Sequence, residues 1–255
     1  MSARLASRFD SEPLIRLAAA AAFLLVWQIG AGLAHSRLLP SFTAVLRAMV
    51  LETLSGALPW NLAITLGRVA AAFTISLLLG CALGIAMGRW RRLDLLLDNA
   101  VTVLLNLPAL VIIVLLYVWF GLNETAAIAA VALNKLPSTT IVLREGTRAL
   151  DPTLDEMAVS FRMPRWRVLR HVVLPQLVPY IFAAARSGLA LIWKIVLVVE
   201  LLGRSNGVGF QIQIYFQLFD VTMILAYTLA FILVVQLIEW GALQPLELWT
   251  TRWRR

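Results

Sequence analysis

EMAVSFRMPRWRVLRHVVLPQ, residues 156–176, lies between two segments apolar enough to cross a bilayer. It carries four arginines, a histidine, two prolines and a tryptophan. A chain that places so polar an insertion there, with helix-forming stretches on either side of a proline, is using it for something outside the hydrocarbon. The rest of the sequence supplies the frame.

Of the 255 residues, 61% are hydrophobic and 14% charged, against roughly 25% charged in soluble domains. Mean hydropathy is +0.85. Such a chain lacks the polar residues to cover a water-facing surface, so lipid is its solvent. The formal charge of +8 comes from arginines between apolar blocks, a pattern of membrane topology and not of a nucleic-acid-binding face. Cys81 is the single cysteine, and His35 and His171 are far apart, so neither a disulfide nor a metal site is readable.

About 20 apolar residues cross a bilayer as a helix. Six segments qualify: 14–34, 62–87, 100–120, 125–143, 178–202 and 221–243. The expectation is an all-α polytopic membrane protein with six transmembrane helices. It comprises an N-terminal segment 1–13, a first transmembrane helix 14–34, a core 60–245 with the other five, and a basic tail 246–255. Arginines cluster at the N-terminus (Arg4, Arg8, Arg16), after the second span (Arg89, Arg91, Arg92), between the fourth and fifth (Arg144 to Arg170) and in the tail (Arg252, Arg254, Arg255). The opposite side has Arg37, Arg47 and Arg204. By the positive-inside rule both termini and the 156–176 stretch are cytoplasmic. The small residues around Ala31 to Ala34 also fit a signal-peptide cleavage site, but the apolar run is long for one; an uncleaved helix is expected.

Within the polar insertion, Thr153 and Glu156 fit a capping box that starts a short helix running through Phe161. Pro164 disfavours helix at Met163 and suits the first position of a second helix. That helix places Trp166, Leu169 and Val173 on one face and Arg167 and Arg170 elsewhere, until Pro175 ends it. Such an amphipathic hairpin serves equally as an interfacial element held by anionic lipid or as a docking element for a cytosolic partner. These residues alone leave both readings open.

Glu156-Met157-Ala158, with Val172-Val173-Leu174-Pro175 following, resembles the EAA loop of ABC-importer permeases. Trp119-Phe120-Gly121-Leu122-Asn123-Glu124-Thr125 and Glu200-Leu201-Leu202-Gly203, followed by Gly207-Val208-Gly209, resemble segments of the nitrate/sulfonate/taurine-type permeases. The likeness covers residues 60–245 in order. It implies that the loop forms coupling helices docking on an ATP-binding subunit, with Glu156, Ala158, Arg165 and Trp166 at the contact and Leu174-Pro175 closing the motif. The usual loop glycine falls at Arg162; the expectation is that Pro164 imposes the bend and Arg162 adds a contact to an acidic partner surface. The resemblance further implies a homodimer, two ATP-binding subunits carrying ATP and Mg, and an extracytoplasmic substrate-binding protein. The resemblance also implies the bacterial inner membrane as the place. For the solute the resemblance favours a small oxyanion such as a sulfonate, taurine or nitrate, whose ATP-driven import is the expectation.

Candidate path residues are Lys194, Arg186 and Glu200, because ionisable groups within spans face protein or water. Arg186 and Lys194 lie eight residues apart, about two helical turns, on one helix face. The plainer reading has Arg186 snorkelling and Lys194 paired with Glu200 or Glu239. Asn134, Lys135 and Pro137 interrupt the fourth span, as a kink packed on its neighbours or as a gate, the kink being preferred. Gly80, Gly84 and Gly88 repeat at four-residue spacing, a close-packing stripe, and Cys81 beside them needs only a packing role. Trp90, Trp119, Trp240, Trp249 and Trp253 fall near span ends as interfacial anchors. There is no Walker-type phosphate loop and no nucleophile–base set, so the chain reads as a non-enzymatic subunit binding no cofactor. The competing class is a stand-alone secondary carrier or channel, which calls for inverted repeats or a mid-membrane coupling carboxylate.

Overall fold

The structure is a computed structural model that describes residues 12–34, 36 and 38–243; the N-terminal segment, His35, Arg37 and the basic tail with Trp249 and Trp253 lie outside them. The described residues form helices α1 (Glu12–Ala34), α2 (Phe42–Leu54), α3 (Ala57–Arg89), α4 (Arg91–Asn106), α5 (Ala109–Phe120), α6 (Glu124–Arg148) and α7 (Pro152–Ser160). They continue through α8 (Arg165–Val168), a π-turn (Leu169–Val173), α9 (Leu174–Gly203), α10 (Val208–Gln217), α11 (Val221–Ile238) and a second π-turn (Glu239–Leu243). No strand occurs among them.

Four runs are long and apolar enough to cross a membrane: Ala57–Arg89, Glu124–Arg148, Arg165–Gly203 and Val221–Gly241. A fifth is reached if α4 and α5, bent by 101° to one another, count as one. Helix α1 spans Glu12–Ala34 with a shorter apolar stretch, Ala18–Ala34, so the described residues give four or five spans against the expected six. The expected third span is this bent pair. Leu107 is extended, with ψ 129°, ahead of Pro108, as sterics before proline require, and Asn106 turns its amide back on the Thr102 carbonyl at 2.8 Å.

The chain divides into two compact units. One comprises Met1–Trp60 with Gln211–Ile232. It contains α2, a helix in what the sequence reading leaves as a loop, capped by the Ser41 hydroxyl accepting from Ala44 N–H at 3.3 Å. Trp27 donates its indole N–H to the Pro40 carbonyl at 3.0 Å and meets Phe42 edge-on. Tyr227, fully buried, donates to Glu52 at 2.8 Å.

The other unit, Asn61–Phe210 with Leu233–Arg255, is organised around α6. In α6, 56% of the most apolar window is buried, against 22–39% in the other three apolar runs. Helices α4, α5 and α9 pack on it, and α3 lays its glycine stripe against it. A Cβ at Gly84 would lie 2.5 Å from the Thr140 carbonyl; at Gly80 and Gly88 it would meet the side chains of Thr139 and Thr147 at 2.7 and 2.5 Å. The Thr140 and Thr147 hydroxyls donate to their own helix, to Leu136 and Leu143 carbonyls at 2.9 and 2.7 Å. Their polar atoms are thereby satisfied inside α6, and the helices can approach closely.

The two proline expectations fare differently. Helix α6 runs through Asn134, Lys135 and Pro137 without a break, and these residues pack on a neighbour as the preferred reading has it: the Lys135 stem lies against Gly188 of α9 and its ammonium donates to Ser138 at 2.6 Å. Pro175, expected to end a helix, does not: Arg165–Gly203 is one 39-residue helical run. The π-turn immediately before Pro175 widens the ring of backbone bonds where proline cannot donate, so the chain continues.

Candidate functional site

The polar insertion is built from short, well-terminated helices. Asp151 caps α7, its Oδ1 accepting from the Thr153 N–H at 2.9 Å and the Thr153 hydroxyl at 2.7 Å, with Pro152 in the first turn. The cap is therefore Asp151, not the Thr153–Glu156 box: an aspartate two residues upstream of Thr153 outcompetes it and uses the threonine as a donor. These bonds, the side-chain one foremost, hold the Asp151 carboxyl below the usual carboxylate range. The Asp151 N–H donates to Gln176 at 3.0 Å and so ties the loop to α9.

The bend also differs from expectation. Arg162 has φ +49°, its N–H donates to the Val159 carbonyl and that of Met163 to Ala158, both at 2.9 Å. This is a Schellman termination with Arg162 in the left-handed position that glycine normally fills. Pro164 follows as the cap of α8 (φ −64°, ψ 144°) and does not impose the turn. Position 162 keeps the backbone a glycine would supply, at the steric cost of a side chain. The loop exposes Phe161 (76%) and Trp166 (65%), while Ala158 is 3% exposed and faces inward. Glu156, Arg162, Pro164, Arg165 and Pro175 are exposed and Leu174 is half-buried.

Directly above, α6 is braced to α4 by charge. Asp94, 5% exposed, accepts from Arg144 at 3.3 Å and Arg148 at 2.5 Å, and Arg144 also bonds Asp98. The last turn of α6 enters the loop from a fixed start.

At the opposite end of the unit lies a cluster the sequence reading passes over. Arg68 of α3, 4% exposed, uses all five guanidinium donors. Nε and Nη2 bond Glu124 at 2.6 and 2.9 Å, Nη1 bonds Glu200 at 2.7 Å and the Asn206 carbonyl at 2.8 Å, and Nη2 also bonds the Asn206 side chain. Glu200, 0% exposed, accepts further from Thr65 at 2.9 Å and Gly209 N–H at 2.8 Å. Asn61 accepts from Gly207 N–H at 2.8 Å, and Arg204 bonds Glu124 at 2.8 Å. Gly207 has φ +103°, and a Cβ there would lie 2.5 Å from the Glu200 carboxylate. The segment Gly203 to Gly209 is thus wrapped on that carboxylate. Glu200 is a buried hub and not a residue open to a path. The signal that points to Arg68 is an arginine inside the apolar run 62–87.

The other two path candidates lie on the outer stripe of α9 with Ala183, Ser187 and Ala190. Arg186 pairs with Glu239 at 3.8 Å. Lys194 is exposed and has no partner among the described residues; its expected partners Glu200 and Glu239 are engaged elsewhere.

A family model described as "Binding-protein-dependent transport system inner membrane component" matches residues 76–240. The chain belongs to that family. This permease is 29% identical over 236 residues to the putative aliphatic sulfonates transport permease protein SsuC of Bacillus subtilis, covering 92% of this chain and 85% of the relative. It is 33% identical over 189 residues to its Escherichia coli namesake, covering 72% and 71%. A solved structure, described as an amino acid ABC transporter with histidines, superposes with a TM-score of 0.57 at 23% identity over 75% of this chain and 95% of that one, which shows the shared permease fold. The permease is the membrane-embedded, multi-pass subunit of an ABC importer of the inner membrane, working with ATP-binding and substrate-binding partners; it is not the ATPase.

Proposed function

We propose that two copies of the permease form a path for a small oxyanion (a sulfonate, taurine or nitrate), with both termini cytoplasmic and one ATP-binding subunit under each loop. ATP and Mg bind those subunits, and a binding protein delivers the solute from outside. The observation that carries the reading is the loop. Capped α7 and α8 hold Phe161 and Trp166 outward among Arg162 and Arg167, an aromatic and arginine surface of the kind that anchors protein interfaces. Glu156 and Arg165 flank it, and Ala158 supports it from behind.

Continuity then gives a route for force. The run Arg165–Gly203 is about 58 Å of uninterrupted helix at about 1.5 Å per residue. It starts at the docking surface, carries Lys194, and ends in the Arg68–Glu200 cluster. When ATP draws the two loops together, each rod swings as a unit and opens the path outward; hydrolysis returns it. A lysine facing hydrocarbon costs about 2.5–3.5 kcal/mol, so the Lys194 stripe belongs against the second copy and the path, where an oxyanion meets the ammonium. Arg186, held by Glu239, stands two turns away on the same stripe.

Proteoliposomes loaded with ATP, permease and ATP-binding subunit, with binding protein and labelled sulfonate outside, test this. ATP-dependent uptake that needs all three proteins is expected, and Lys194→Met is expected to slow it at least tenfold with assembly intact. Equal uptake by the permease alone would make it a carrier, and full activity of Lys194→Met would remove that residue from the path.

A further inference from the structure

We infer that Lys135 stands at the closed end of an inward-facing vestibule and holds the transported oxyanion there, with the amide of Asn134 beside it. The inference deepens the reading above and rests on its orientation and its anionic solute. Lys135 lies in the middle of α6, about 17 Å from Glu124 and about 20 Å from Arg148 at about 1.5 Å per residue. That is too deep for its stem to reach either membrane surface. The residue is 4% exposed. Among the described residues its ammonium makes one hydrogen bond, to Ser138 at 2.6 Å, and no salt bridge. Two of its three N–H donors therefore have no acceptor there. A buried charge is tolerated when it is paired, and no described carboxylate pairs with this one. The missing partner is an anion from outside the chain.

The way to it is marked on α6 itself. Asn134, Ser138, Ile141 and Glu145 fall on one helix face, and each is half-buried or exposed. One and two turns further toward Glu124 the same face is closed, with Ala130 at 0% and Ala127 at 1% exposure. Three of the four open positions are polar, so the face meets water or protein and not lipid. At its cytoplasmic mouth Glu145 is bonded by Arg144 and Arg148 at 3.1 Å each, so that carboxylate does not stand unmatched against an entering anion. The Asn134 amide makes no hydrogen bond among the described residues and offers two N–H donors. Helix α9 makes room for the lysine: a Cβ at Gly188 would lie 2.7 Å from Lys135 Cε. Lys194 follows six residues along α9, about 9 Å nearer the outside. An oxyanion moving inward meets Lys194 first and Lys135 second. One ammonium flanked by neutral donors suits a monoanion, which a sulfonate or nitrate group is.

The test is cysteine labelling of the full permease in inverted native membrane vesicles. Cys81 is the single cysteine, so Cys81→Ala gives an unreactive background and Ser138→Cys adds one thiol beside the ammonium. The probes are two methanethiosulfonates, one ending in a sulfonate and one in a trimethylammonium, each rate being divided by that reagent's rate with a free thiol. The sulfonate reagent should be favoured about tenfold, as a confined charge concentrates its counter-ion. Lys135→Met should abolish the preference, and methanesulfonate should slow the labelling. Asn134→Cys supplies a second position where Ser138→Cys fails to insert. No labelling at either position would make the α6–α9 seam dry and Lys135 a packing residue. Equal rates for the two reagents, or a preference that survives Lys135→Met, would also overturn the inference. The labelling needs neither the ATP-binding subunit nor uptake, so a permease that proved to be a carrier would still show it.

Discussion

Single residues carry three consequences. Removing Arg68 strands Glu200 at 0% exposure beside the Thr65 hydroxyl and Gly209 N–H. Breaking a buried pair from one side costs about 3–5 kcal/mol. Arg68→Leu should therefore lower the thermal unfolding temperature sharply in detergent, and Arg68→Lys should not restore it, because an ammonium cannot reproduce five planar donors. A variant melting with the wild type would show that the cluster bears no load. Arg162 works in the opposite direction: at φ +49° its side chain costs about 1–2 kcal/mol, so Arg162→Gly should raise the unfolding temperature and keep coupling, while Arg162→Val lowers it. Asp151 supplies a pH dependence. Its carboxyl is depressed by the Thr153 bonds, so its capping is complete above the ordinary aspartate pKa and is lost as pH falls through the depressed one. Hydrogen exchange of α7 should accelerate across that acidic window in the wild type and show no such step in Asp151→Asn.

Elements differ in how far sequence reveals them. The glycines at 80, 84 and 88 were legible because small residues at four-residue spacing have one physical use in a span, and the structure supplies their partner, α6. Gly84→Ile must push on the Thr140 carbonyl 2.5 Å from a Cβ and should cost about 1–3 kcal/mol as overpacking. Gly67→Ala, with nothing within 4 Å, should be silent; equal effects in melting temperature would mean the stripe does not pack. The 101° break at Pro108 was foreshadowed by Asn106 and Pro108. Pro175 misled because the local rule that proline ends a helix says nothing of a π-turn that absorbs it. The Thr153–Glu156 box misled because Asp151 competes for the same N–H groups. The Arg68 cluster was out of reach for a different reason: its carboxylates lie 56 and 132 positions away in sequence, and only the fold brings them together.

At the scale of the molecule, the loop, the Arg165–Gly203 rod and the buried cluster form one chain of rigid parts. The central claim is that the loop is where an ATP-binding subunit grips. The direct measurement is recovery of that subunit with tagged permease from native membranes, wild type against Phe161→Ala combined with Trp166→Ala. Both side chains are exposed and away from the packed core, so the variant should fold and insert normally. Truncating central aromatic anchors costs about 2 kcal/mol or more each, so recovery of the ATP-binding subunit should fall well over tenfold while the permease level is unchanged. Recovery equal to wild type would contradict the account and return the loop to the membrane surface.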